Sequence, residues 1–251
     1  MYAVQVDGLD PQSLRVEETA DPELGTGEVL IEAEAATVNR VDLALVTGAA
    51  ARKIPSWANP PYTPGWDVCG RVIAHGSGVS KPPIGARIVG FSAWFSHGRG
   101  THSSLVALPA KDVVEAPDGL PASRLTTVGL NGLTAWRAVE CLKTHPGQTI
   151  LIVGAAGAVG GLALDLALLR GVKVIAAVSP ADRDLVIDRG ATAVVAHGHT
   201  DTVAETLRLM PGGVDAVLDT ASVAAPLMQA IHVELVTRSW STASGHLDVA
   251  A

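Results

Sequence analysis

The sequence predicts an α/β protein in two parts: an N-terminal β domain, then a doubly wound parallel sheet with its helices. Three observations predict it. Short apolar runs separated by turn clusters occupy the first part of the chain. Four strand–helix alternations occupy the second. The first of those alternations carries a glycine-rich turn between its strand and its helix. A boundary near Pro117-Asp118-Gly119 gives residues 1–118 and 119–251.

In the first part the expected strands are Tyr2–Val6, Glu28–Ala35, Val68–Ala74, Arg87–Phe91 and Leu105–Leu108. Asp21-Pro22, Gly25-Thr26-Gly27, Gly76-Ser77-Gly78 and Lys81-Pro82-Pro83 punctuate them as turns. Most of the fifteen prolines fall here, where loops and strand ends tolerate them. Arg52–Pro64 has no periodicity and reads as a proline-rich loop.

The period then changes. Leu120–Leu142 is helical sequence interrupted at Gly129 and Gly132, with Leu125, Val128, Leu133, Trp136 and Val139 expected on buried faces. Thr149–Val153 is an unbroken apolar strand, as a parallel sheet covered on both faces requires. Helix Ala158–Arg170 follows, stopped by Gly171. Strand Val172–Val178, helix Asp182–Arg189, strand Ala193–Ala196, helix Thr202–Met210 and strand Val214–Leu218 continue the alternation. Only 32 of the 251 residues follow Asp219, room for a helix at Ala224–Ile231 and a strand at His232–Thr237. The expected sheet is therefore cut short.

Composition excludes several classes. At 48% hydrophobic and 17% charged the chain has enough apolar material to fold. A net charge of −7 without any Lys/Arg run argues against a nucleic-acid binder. Cys69 and Cys141 rule out a disulfide scaffold and a cysteine-rich zinc lobe. Ile150–Leu169 is apolar apart from Asp165, but its four glycines and that acid suit a strand–turn–helix better than a membrane span. The N-terminus lacks the pattern of a signal peptide. The expectation is a cytoplasmic protein with neither membrane nor nucleic acid as partner.

The turn Gly154-Ala155-Ala156-Gly157-Ala158-Val159-Gly160 is the strongest chemical signal. Glycines allow the sharp turn and close approach of backbone to a pyrophosphate, and the following helix offers unpaired N–H groups and a partial positive charge. The alternative is a glycine turn used only for packing. Where an NAD site carries an acid at the end of the second strand, this chain has Ser179, nineteen residues past Gly160, with Arg183 nearby. That combination favours a 2′-phosphate and hence NADP(H). The competing reading makes Ser179 a helix cap, Pro180 the first helical residue and Arg183 a solvated side chain.

Six stretches in series now resemble one family: Val38-Asn39-Arg40-Val41-Asp42, Pro64-Gly65-Trp66-Asp67-Val68-Cys69-Gly70-Arg71-Val72, Gly85-Ala86-Arg87-Ile88, Gly132-Leu133-Thr134-Ala135-Trp136, the Gly154–Gly160 turn, and Gly213-Val214-Asp215-Ala216-Val217-Leu218-Asp219. They are similar to the zinc-independent quinone oxidoreductases of the medium-chain dehydrogenase/reductase superfamily, over roughly residues 1–222. The resemblance implies a GroES-like β domain, a truncated Rossmann domain lacking the usual final strands and return segment, and NADPH between them. It implies reduction of a quinone, an enone or a related activated double bond or carbonyl of a small molecule. Asn39 and Tyr62 become the candidate catalytic residues. The cofactor set is Asn39, Thr134, Ala156, Gly157, Ala158, Val159, Gly160, Ser179, Arg183 and Thr220. For Asn39 a turn role stays open, and for Thr134 a helix N-cap. Asp42 and Asp67 read as structural, through turn or loop hydrogen bonds.

Zinc-dependent relatives have Cys in the region of Asn39-Arg40 and a His-Glu pair where this chain has Trp66-Asp67; no metal is expected. The chain also departs from the family. Leu43–Gly48 is apolar where relatives often carry an aromatic and an Arg, and no proton donor is identifiable. The shortened C-terminus leads to a homo-oligomer covering exposed apolar surface. Trp57, Trp94 and Phe95 are expected to shape a substrate pocket or to be core. Two other functions stay open: a redox-inactive relative acting as a cyclase or lyase, and a non-catalytic nucleotide-binding protein.

Overall fold

A computed structural model describes residues 1–197 and 201–221. The expected helix at Ala224–Ile231 and strand at His232–Thr237 lie outside the described residues. The chain divides into two compact units, Met1–Leu130 and Asn131–Ala251.

The first unit is built on antiparallel strands. β1 (Tyr2–Gln5) and β2 (Arg15–Glu18) form a two-stranded sheet. β3 (Glu28–Ala36), β4 (Asp67–His75), β5 (Arg87–Phe91), β6 (Leu105–Pro109) and β7 (Val113–Glu115) form a five-stranded sheet in the order β6-β3-β4-β5-β7. β3 alternates as a half-buried strand should: Val29 and Ile31 are fully enclosed, with Val68, Val72, Ile88, Val106 and Leu108 against them. Burying an aliphatic side chain of this size stabilises the fold by about 1.5–3 kcal/mol.

Two short helices occur outside the elements the sequence suggested. α1 (Arg40–Val46) starts on Asn39, whose backbone N–H donates to Asp42 Oδ2 at 2.7 Å. An Asx residue at the N-cap and a carboxylate three residues later are a helix-start signal, so the apolar Leu43–Gly48 stretch is largely helix. α2 (Trp94–His97) is one turn closed by Gly98 in the left-handed region (φ 65°). After β7, α3 (Ala122–Leu125) and the 3₁₀ turn Thr126–Val128 pack on β3, β4 and β5, which is why this unit continues past residue 118 to Leu130.

α4 (Leu130–Leu142) enters the second unit. Its buried residues are Asn131, Ala135, Val139 and Leu142. The expectation for Val128, Leu133 and Trp136 is therefore corrected: all three are exposed, Leu133 and Trp136 because α4 turns the face of Asn131, Ala135, Val139 and Leu142 inward, and Val128 in the 3₁₀ turn before it. β8 (Thr149–Val153), β9 (Lys173–Val178), β10 (Ala193–Ala196) and β11 (Ala216–Asp219) form a parallel sheet in the order β10-β9-β8-β11. α5 (Ala158–Leu169), α6 (Arg183–Asp188) and α7 (Thr202–Leu209) connect them. All five residues of β8 are buried. Ile150 and Ile152 pack with Leu164 and Val186 in one cluster, while Leu151 and Val153 pack with Val203 and Val217 in another. Alternate side chains feed opposite faces, so the sheet is doubly wound.

Candidate functional site

In the second unit, the Gly154–Gly160 turn lies between β8 and α5 as the sequence predicts. Gly154 takes φ +79°, and a Cβ on Gly160 would stand 2.2 Å from Gly154 O. That close approach packs α5 onto the turn and needs a hydrogen at position 160. Gly157 differs: it is the N-cap of α5, is exposed, and its Cβ would meet only Gly154 O at 3.3 Å. Ala158 is also exposed, whereas Ala156 and Val159 are half-buried and Gly160 is buried. The open side of the turn is thus bare backbone at a helix N-terminus, the arrangement a diphosphate needs. Thr220, directly after β11, donates its hydroxyl to Val153 O at 2.7 Å and to Gly154 O at 3.2 Å. It fixes the turn from behind.

At the end of β9, Ser179 precedes the 3₁₀ turn Pro180–Asp182. Its hydroxyl donates to Asp182 Oδ2 at 2.6 Å rather than capping the turn's backbone. Arg183 opens α6, is exposed, and forms no ion pair among the described residues. A carboxylate therefore stands beside Ser179 although position 179 itself lacks one. Thr134 lies half-buried in the second turn of α4, so it is not that helix's N-cap.

In the first unit, Asn39 belongs to a buried polar network. Its Nδ2 donates to Asp67 Oδ2 at 2.7 Å, and the other Asp67 oxygen accepts from the backbone N–H of Leu130, the first residue of α4. Asp42 Oδ1 accepts from Gly65 N at 2.8 Å, and Thr101 Oγ1 donates to Asp67 O at 2.8 Å. Burial pushes the Asp67 carboxyl up to about 6, while the Asn39 and Leu130 hydrogen bonds oppose the shift. Burial likewise raises Asp42. Both carboxylates hydrogen-bond within the fold as structural groups, but across distant segments and not only within a turn or loop. Their joint hold on Asn39, across distant parts of the chain, has no sequence signature.

Tyr62 lies elsewhere. Its backbone pairs with Val6, its ring meets Trp94 edge-on at 5.7 Å, and its hydroxyl points to Ala58 O at 3.4 Å. It is a core aromatic, and nothing in this geometry assigns it catalysis. Trp94 is also core, with its Nε1 donating to Thr63 O at 2.7 Å. Phe95 is half-buried, and Trp57 is 58% exposed. Trp66, by contrast, is 94% buried and its Nε1 has no hydrogen-bond partner among the described residues. No group of three or more His, Cys, Asp or Glu could hold a metal among the described residues. No helix among them is long and apolar enough to cross a membrane.

Comparison with known proteins agrees with this architecture. Residues 25–118 match the alcohol dehydrogenase GroES-like domain family, and residues 158–234 match the zinc-binding dehydrogenase family. A zinc-type alcohol dehydrogenase-like protein of Schizosaccharomyces pombe is 34% identical over 178 residues, 68% of this chain and 50% of that protein. A chloroplastic quinone oxidoreductase of Triphysaria versicolor is 32% identical over 203 residues, 78% of this chain and 60% of that protein. A mycobacterial protein solved in complex with NADPH superposes with a TM-score of 0.77 at 30% identity, covering 92% of this chain and 69% of that one. The chain spans about half to three-fifths of the length of these two curated relatives. With the strand orders, the glycine turn and these matches in agreement, the chain belongs to the medium-chain dehydrogenase/reductase superfamily, among its quinone oxidoreductase-like members.

Proposed function

We propose that this chain is an NADPH-dependent reductase of a quinone, an enone or a related activated carbonyl compound, working without zinc. The observation that carries the reading is the Gly154–Gly160 turn, whose bare outer face at Gly157 and Ala158 suits a dinucleotide diphosphate. The nicotinamide supplies hydride, and the protein's part is to bind and orient it. Ala156, Gly157, Ala158, Val159 and Gly160 hold the diphosphate in this reading, with Thr220 bracing the turn. Ser179 and Arg183 receive the 2′-phosphate, and Asn39 and Thr134 serve the nicotinamide end. The residue types Arg40 and Trp66, at positions compared with zinc ligands, favour chemistry without the metal.

One observation favours NADH instead. Asp182, 2.6 Å from Ser179, offers a carboxylate that accepts from a free ribose 2′-hydroxyl and repels a phosphate. Titration of the purified protein with both coenzymes tests the choice. Loss of NADPH absorbance with a panel of quinones and enones tests the reaction. Coenzyme binding without any turnover would replace the reductase reading by a binding function.

A further inference from the structure

Trp66 carries a donor that the fold leaves without an acceptor. The residue is 94% buried, yet its indole Nε1 has no hydrogen-bond partner among the described residues. Indole N–H groups usually find an acceptor when enclosed, and an orphaned donor in an apolar site is costly enough to need a reason. The surroundings supply none: Trp66 packs with Phe91 at a centroid distance of 6.0 Å and with Phe95 at 5.0 Å, edge to face. Its cluster also holds Val41, Leu45 and Leu130, and the two polar aromatics in it, Tyr62 and Trp94, spend their own donors on Ala58 O and Thr63 O. Trp94, the other buried Trp among the described residues, does not share the problem, since it donates to Thr63 O.

The neighbourhood is specific. The next residue, Asp67, holds the Asn39 amide, and Val41 follows Asn39 at the start of α1. The orphan donor therefore stands beside the polar network that carries the proposed nicotinamide contact. Phe95, which meets the indole edge-on, is on α2, a single helical turn and so the part of the wall that can yield most cheaply.

We propose that the indole N–H of Trp66 is a substrate-binding donor, hydrogen-bonding the carbonyl oxygen of the quinone or enone. This rests on the reductase reading above and deepens it: the substrate must present an acceptor oxygen to an otherwise apolar, aromatic wall. A donor on that oxygen also favours the negative charge that accumulates there as hydride arrives at the conjugated carbon. The site rejects analogues lacking the oxygen, because they leave the buried N–H unpaired.

The test is Trp66→Phe, which keeps a ring and removes the N–H. With NADPH, the KM for 2-cyclohexen-1-one and for 1,4-naphthoquinone should rise about tenfold, with the KM for NADPH unchanged. The melting temperature of the ligand-free protein should fall by no more than the lost indole volume accounts for, since no hydrogen bond goes with it. An unchanged KM for both carbonyl substrates would overturn the proposal, and a fall in melting temperature beside it would mark the indole as core packing alone. A second readout needs no turnover. In protein labelled with ¹⁵N-tryptophan, the Trp66 indole resonance should move downfield on adding cyclohexanone, with and without NADP⁺, and should not on adding cyclohexene. That shift in a protein without reductase activity would keep the donor and dismiss the reductase reading. Turnover without the shift or the KM effect would keep the reductase and dismiss the donor.

Discussion

Asn39 and Asp67, 28 residues apart in sequence, are joined by a buried 2.7 Å hydrogen bond from amide Nδ2 to carboxylate Oδ2. The second carboxylate oxygen holds the backbone N–H of Leu130. One side chain thus fixes both the N-cap residue of α1 and the first residue of α4, and it does so with two acceptors. An amide in its place has only one.

A pH dependence follows. The Asp67 carboxyl stands at about 6 in the folded protein against an ordinary value of 3.8, raised chiefly by burial. A raised folded value means the native state holds the proton more tightly than the unfolded chain. The contribution of Asp67 is therefore fully present below about pH 4 and is lost as pH rises through about 6, up to about 3 kcal/mol in all. Asp42, raised in the same direction, adds to the trend. Urea unfolding at a series of pH values should show wild type losing more stability than Asp67→Asn across this window. At the acid end the protonated carboxyl, like an amide, keeps one full acceptor, so the variant and wild type should be closest in stability there. Parallel profiles for the two proteins would refute the burial argument.

The glycine turn predicts two different failures. Gly160→Ala puts a Cβ 2.2 Å from Gly154 O, backbone against backbone, so α5 must back away. It should cost about 2–3 kcal/mol in unfolding free energy and take coenzyme binding with it. Gly157→Ala meets only Gly154 O at 3.3 Å on the open side. It should leave the melting temperature within a few degrees while weakening NADPH at least about tenfold, because the methyl group occupies the phosphate's approach. Equal NADPH affinity in Gly157→Ala and wild type would place the diphosphate elsewhere.

Assembly gives a further prediction. Among the described residues β10 and β11 are the outer strands of the parallel sheet, and an outer strand is a surface that proteins cover or pair. We expect a homo-oligomer. Light scattering should return a mass well above 25.7 kDa at micromolar concentration, and a monomer mass would refute it.

Local signals made the frame legible. β5, β8 and β10 have the bounds their apolar runs suggested, since a buried run flanked by turns has few other ways to fold. The Gly154 turn was legible because each glycine answers a separate steric demand. α1 is legible in the same way: Asn39 and Asp42 are spaced as a helix start, and the apolar run that follows continues it. Tyr62 shows the limit. Its enclosure depends on Trp94, far along the chain, and no local pattern reports that contact. The orphan N–H of Trp66 is equally invisible in sequence, being defined by what the fold fails to bring near it.

Coenzyme preference is the sharpest test of the site, because three side chains at the end of β9 pull in different directions. Ser179 presents no charge, Arg183 attracts a 2′-phosphate, and Asp182 repels it from 2.6 Å beside the Ser179 hydroxyl. Arg183 is exposed, so its pull is screened and contributes toward the lower end of the 1.5–3 kcal/mol of a charge-assisted hydrogen bond. Arg183→Ala should therefore weaken NADPH about tenfold and leave NADH nearly unchanged. Asp182→Asn should do the reverse, tightening NADPH by lifting a like charge while keeping a polar partner for Ser179. Ser179→Asp should shift the preference toward NADH, since the new acid repels the phosphate and accepts from the free hydroxyl. Fluorescence titrations of the three variants with both coenzymes separate the alternatives. If Asp182→Asn weakens NADH and leaves NADPH untouched, Asp182 is the ribose acceptor and the enzyme is NADH-dependent. If none of the three changes alters the ratio of the two affinities, the ribose lies away from β9, and the diphosphate reading of the Gly154 turn loses its second half.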